Sequence, residues 1–138
     1  MRHSPTGEDL VAQVTGLQPL QMEAVLRQGA DVPSTVTGRQ ITVNLAALLR
    51  LPRRDILLIS GISADESIPS REVFLQTYRT LDLFAIVLSA LNADDAAHWF
   101  TRPNRHLDGR RPLDLCQIPE GERQLRDHLA NLLSGNVA

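Results

Sequence analysis

Ser70-Arg71-Glu72-Val73-Phe74-Leu75-Gln76-Thr77-Tyr78-Arg79-Thr80-Leu81-Asp82-Leu83-Phe84-Ala85-Ile86-Val87-Leu88-Ser89-Ala90-Leu91 carries the longest helical pattern in the chain. Phe74, Tyr78, Leu81, Phe84, Ala85, Leu88 and Leu91 recur at spacings of three and four, which places them on one face of an α-helix. Ser70 is an expected N-cap, because its hydroxyl can accept from a free N–H of the first turn. A helix over 71–91 would be about 30 Å long. Leu83, Ile86 and Val87 lie off that stripe, so a second face is also apolar. Such a helix is either buried centrally or paired with another chain.

Outward from it the periodicity stays helical. Upstream, helices are expected around 8–14 and 19–28, the second closing at Gly29. Residues 31–40 hold Pro33, Ser34, Thr35, Thr37 and Gly38 and read as a connector or a poorly formed helix. Apolar residues at 41, 45, 48 and 49 mark the next helix, and Pro52 suits the first turn of a short one ending at Gly61. Joined across Arg50-Leu51, these two have the proportions of a helix-turn-helix pair. Downstream, Asn92 is placed to close the long helix, and Asp94 or Asp95 to cap a short one through Phe100. Residues 103–111 form a loop with a turn at Asp108-Gly109, and Pro112 restarts a short helix. A last helix over 120–134 puts Leu125, Leu129, Leu132 and Leu133 on one side. Gly135 stops it and leaves Asn136-Val137-Ala138 as a tail. The expected fold is all-α, with an N-terminal region at 1–68 and a second at 69–138 comprising the long helix and a compact helical end.

Composition narrows the function classes. The chain has 138 residues, 43% of them hydrophobic, enough for a core of its own. Net charge is −2, which does not suit a globally basic nucleic-acid wrapper. All 14 basic residues are arginine. Four of them, Arg102, Arg105, Arg110 and Arg111, stand within 98–111 against a single acid, Asp108, so one short basic segment sits between two acidic ones. Aromatics are 4%, too few for a platform that stacks single-stranded bases. One cysteine, Cys116, cannot make an internal disulfide. Met1-Arg2-His3-Ser4-Pro5 opens onto Glu8 and Asp9 without an apolar run, and the longest such run, 83–88, is far short of a membrane span. A soluble, cytoplasmic chain without a membrane partner is expected.

Candidate chemistry is sparse. His3, His98, His106 and His128 lack the paired spacing of a zinc site, so they read as solvated or half-buried histidines. Asp94-Asp95 and Glu120-Glu122 could be acid–base pairs, yet both fall at helix starts, where acids favour the dipole. No nucleophile elbow, phosphate-cradling glycine loop or dinucleotide fingerprint is present. Neither an enzyme nor a metal or cofactor is expected. Arg50, Arg53 and Arg54 flank the helix-turn-helix-like pair and are the candidate contacts to DNA phosphates. Residues 99–113 hold the only tryptophan and the densest arginine cluster. There Trp99, Phe100, Leu107 and Leu113 would anchor a loop stiffened by Pro103 and Pro112, with Gly109 free to take a positive φ. Such a loop is either a packed connector with solvated arginines or a preorganised interaction surface, since tryptophan and arginine favour binding hot spots.

Trp99-Phe100, then Pro103-Asn104, Leu107, Gly109, Pro112 and Leu115, then Gly121, Leu125, Leu129 and Gly135, resemble the toxin-binding domain of Xre/MbcA/ParS-type antitoxins. The match is strongest over 97–138 and reaches more weakly back to Ser70. The resemblance implies an all-helical antitoxin whose partner is a cognate toxin with a RES domain, a class that consumes NAD⁺ in the cytoplasm. It implies neutralisation by binding, the last helix docking on the toxin and the tail obstructing its active-site entrance. Carried onto this chain, the toxin-binding residues are Arg105, Arg110, Arg111, Leu132, Leu133, Gly135, Asn136, Val137 and Ala138. Trp99, Pro103, Asn104, Leu107, Gly109 and Pro112 would hold the domain together.

The resemblance also implies a helix-turn-helix that binds the operon's own promoter, here from Leu45-Ala46-Ala47-Leu48-Leu49 through Gly61-Ile62-Ser63. Where the family often continues with a Thr-Leu-x-Arg-Arg stretch, this chain has Ala64-Asp65-Glu66-Ser67-Ile68-Pro69. That segment is acidic and short, and phosphates repel acids. Two other functions remain open on the residues alone. One is a transcriptional regulator acting through Arg50, Arg53 and Arg54; the other is a homo-oligomer assembled through Leu83, Ile86 and Val87 of the long helix.

Overall fold

Helix starts in this chain are written by short polar side chains that satisfy the free N–H groups of a first turn. In the computed structural model, which describes residues 4–60, 62, 63, 65 and 67–134, they begin four of eight α-helices joined in an all-α fold. The helices are α1 (Gly7–Thr15), α2 (Pro19–Arg27), α3 (Gly38–Leu49), α4 (Arg53–Ser60), α5 (Arg71–Leu88), α6 (Ala93–Phe100), α7 (Pro112–Leu115) and α8 (Pro119–Leu133). Thr6 and Asp9 form a reciprocal capping box at α1, Thr37 caps α3, and Ser70 caps α5 by accepting from the Val73 N–H at 3.2 Å. The turn after α2 carries Gly29 at φ 73°, the left-handed geometry that glycine adopts without strain. The expected stop of the final helix at Gly135 and the short tail lie outside the described residues, as does the expected end of the helix before Gly61.

Three boundaries differ from expectation. The long helix stops at Leu88, because the Ser89 N–H and hydroxyl both fold back onto the carbonyls of its last turn. Asn92 does not close α5 but opens α6, accepting from the Asp95 N–H at 2.9 Å. Asp94 and Asp95 therefore sit inside the first turn of α6, as Glu120 and Glu122 do in α8, where they complement the helix dipole. The loop over 103–111 contains a 3-10 turn, Arg105–Leu107.

The core is built around α5. Phe74, Leu81 and Phe84 are buried, and so are Leu83 and Val87 of its second face. α1, α4, α6 and α8 all pack against it. The two-faced pattern thus reflects central burial. Leu83 and Val87 are enclosed by this chain's own helices and Ile86 is partly buried, so two of the three residues expected to join a second copy are spent on the core. Phe84 meets Phe100 of α6 edge-on at 5.1 Å, the geometry that aligns ring edge with ring face. α1 lies so close to α5 that a Cβ on Gly7 would stand 2.8 Å from the Asp82 Cα. Leu45 and Leu49 of α3, Ile56 of α4, Thr77 and Thr80 of α5 and Leu113 of α7 line a cavity of about 20 Å³, about one water in size. Among the described residues no helix is long and apolar enough to cross a membrane.

The segment after α4 is not helical at its described positions. It crosses the start of α3 instead: Gly38 donates to the Ser67 carbonyl and Arg39 to the Asp65 carbonyl, both at 2.8 Å. A Cβ on Gly38 would fall 1.9 Å from the Ser63 oxygen, so glycine is what permits this crossing.

Candidate interaction surface

The residues expected to form a surface come from the loop between α6 and α7 and from α8. The loop is held from within. Asn104 caps the 3-10 turn through its side chain, accepting from the His106 N–H at 2.8 Å. Its own N–H donates to the Arg110 carbonyl, and its carbonyl accepts from Leu107 and Gly109. Asp108 and Gly109 take positive φ values of 58° and 76°, which returns the chain onto Asn104. Leu107 plugs the loop into the core, and Pro112, buried, starts α7. Pro103 is exposed and acts only through its restricted backbone.

This scaffold divides the arginines. Arg102, Arg105 and Arg110 are exposed. Arg111 is not available in the same way. Its guanidinium makes a bidentate pair with Asp114, 2.8 Å at both contacts, and is half-buried, so it ties the loop to α7. Gln76 of α5 donates to the Cys116 carbonyl, and Gln117 donates to the Thr80 hydroxyl at 3.4 Å, which fixes α7 against α5. Burial pushes the Cys116 thiol up, so it stays protonated inside the core.

On α8, Leu125 and Leu129 face inward, while Leu132 and Leu133 are 36% and 48% exposed. Gly121 is buried under Leu115, whose carbonyl would lie 2.5 Å from an added Cβ. Arg126 bridges to Asp82 of α5 and to Glu122 at 3.0 and 3.2 Å. Trp99 is half-buried and stacks on His128 of α8 with centroids 6.3 Å apart and planes 5° from parallel. His128 in turn stacks on His106 of the loop at 6.2 Å and 23°. Burial, and then the neighbouring His106, lower the His128 pKa. The stack puts the loop on the α8 face that carries His128, and Leu132, four residues on, lies one turn further along that face. Exposed Arg105, next to His106, and exposed Leu132 thus lie toward the same face of α8. Gly135, Asn136, Val137 and Ala138 are outside the described residues.

Sequence reasoning did not find His106 and His128 as partners. Three segments contribute one ring each, and nothing in their spacing signals the contact. Among the described residues no three of His, Cys, Asp and Glu gather into a metal-binding group.

The DNA candidates separate as well. Arg53 and Arg54 are exposed at the start of α4. Arg50 sits in the left-handed region at φ 58°, and its guanidinium donates to the Ala47 and Leu48 carbonyls and to Asp94. It closes the end of α3 and reaches α6.

No curated protein and no solved structure matches the chain. Residues 83–135 match the family described as the antitoxin Xre/MbcA/ParS C-terminal toxin-binding domain. The matched stretch opens in the last turns of α5 and takes in α6, the arginine loop, α7 and α8, the elements that build the surface described above. Residues 83–135 are thus similar to the toxin-binding domain of the Xre/MbcA/ParS antitoxins, carried by an all-α fold.

Proposed function

We propose that this chain neutralises a RES-domain, NAD⁺-consuming toxin in the cytoplasm by binding it and blocking its active-site entrance. The observation that carries this reading is the match of 83–135 to a toxin-binding domain, on elements that leave Arg105, Arg110, Leu132 and Leu133 exposed. The leucines would be the apolar anchor and the arginines the polar rim, the usual division of a protein interface. Gly135, Asn136, Val137 and Ala138 continue from α8 and would enter the toxin's cleft. Their small side chains lose little entropy on ordering. The mechanism needs no group on this chain to react. Arg111, already paired with Asp114, would hold the loop's shape. The test is co-expression with the toxin encoded beside it, with and without residues 135–138. Loss of NAD⁺ protection and of growth on truncation is expected. Full protection by the truncated chain refutes the tail mechanism.

A second activity, autoregulation at the operon's promoter, is favoured by one observation. Arg53 and Arg54 project from the first turn of the second helix of the α3–α4 pair, the position from which a recognition helix meets DNA.

A further inference from the structure

We propose that the stacked rings of Trp99, His128 and His106 form a proton-operated latch that holds the exposed His106 turn of the arginine loop against α8 when neutral and loosens that turn when both imidazoles are charged. The proposal deepens the docking reading, because it concerns the regulation of that same surface.

The geometry has two unequal joints. His128 lies parallel to Trp99, planes 5° apart and centroids 6.3 Å apart, so a proton on His128 sets a cation beside the indole, at worst a neutral change to that joint. His106 faces His128 at 6.2 Å, so protons on both set like charges against each other. Acid therefore spares the inner joint and loosens the outer one. The outer ring is the exposed one, and it belongs to the turn that presents Arg105 and, across the Asn104 bridge, Arg110.

The charged neighbours do not neutralise the pair. On α8, the same-face positions around His128 are Gln124, Leu125, Asn131 and Leu132, with Asp127 pointing to another side and Arg123 more than a turn away. On α6, His98 precedes Trp99, Asp94 engages Arg50, and Asp95 accepts from the Asn92 side chain at 3.1 Å. On the loop, Asp108 is the one acid among Arg102, Arg105 and Arg110, while Arg111 and Asp114 satisfy each other. The lowered pKa of His128, from burial and then from His106, agrees with this accounting.

Trp99 is the only tryptophan, so emission from the full chain reads the stack directly. An imidazolium against indole accepts an electron from the excited ring and quenches it. Emission is expected to fall in one step between about pH 8 and about pH 5, with a midpoint below about 6.5. His128→Gln should remove the step. His106→Gln, at an exposed position, should keep the quench and move its midpoint upward. A flat titration, a step that survives His128→Gln, or a midpoint unmoved by His106→Gln overturns the latch. Control of the surface is read with the RES-type toxin: from neutral to acid pH the parent chain should lose several-fold more affinity than His106→Gln does. Equal losses overturn that control. If the emission step is present and no toxin binds at any pH, the docking reading fails while the latch stands.

Discussion

At the scale of the residue, small side chains do the positioning and large ones the anchoring. Gly121 shows why. It sits in the first turn of α8 under Leu115, and a methyl there would stand 2.5 Å from the Leu115 carbonyl and 2.9 Å from the Ile118 side chain. A backbone oxygen cannot rotate away, so α7 and α8 would have to part. Gly121→Ala is expected to destabilise the fold by about 1–3 kcal/mol, the cost of overpacking, although alanine is the better helix former. Urea denaturation of the full chain measures it, and a stability equal to or above the parent's contradicts this packing. Roles of this kind were legible in part. Pro112, Asn104 and Gly109 act through local backbone constraints, and sequence displays those. Arg111 was legible as a cation but not as one already paired, because Asp114 is also a routine helix-start residue. The ring stack was invisible, since its members meet only after α6, the loop and α8 have packed.

At the scale of the element, the long helix was legible in type and ambiguous in use. Apolar residues on two faces fit either burial or pairing, and only the positions of α1, α4, α6 and α8 decide for burial. Boundaries were less legible, because Asn92 can close one helix or open the next and the backbone hydrogen bonds choose. The α3–α4 pair was legible from Pro52 and the stripe before it. Its arginines diverge in use, and this sets a prediction. If α4 meets promoter DNA, Arg53→Ala and Arg54→Ala should each weaken binding at all sequences and shrink the salt slope by about one counterion. Arg50→Ala should instead lower thermal stability, since its guanidinium engages the end of α3 and Asp94. Promoter titrations at two salt concentrations separate these outcomes, and an unchanged slope in both α4 variants removes DNA from the function of this pair.

At the scale of the whole molecule, pH and cooperativity bear on the same core. Because the folded chain lowers the His128 pKa, it binds that proton less readily than the unfolded chain does. The associated stability is complete above about pH 6.5 and is lost as pH falls through the lowered value. Melting temperatures of the parent should decline over that window, and those of His128→Gln should decline less; parallel declines would assign the acid sensitivity to other groups. The same core makes a stronger demand. One cluster of buried residues runs from Leu10 of α1 through Phe84 of α5 to Leu129 of α8. α1 packs on both α3 and α5, and residues of α3, α4, α5 and α7 line one small cavity. Nothing in that arrangement lets the first four helices open while α5 stays covered, because α5 would then expose the face that α1 and α4 bury. Unfolding should therefore be a single transition. Trp99 reports the C-terminal half, and far-ultraviolet circular dichroism reports all helices, so their denaturation curves should coincide in midpoint and slope. Separate midpoints would mean that 1–68 and 69–138 unfold as two units, and the contacts of α1 with α5 would then be too weak to join them.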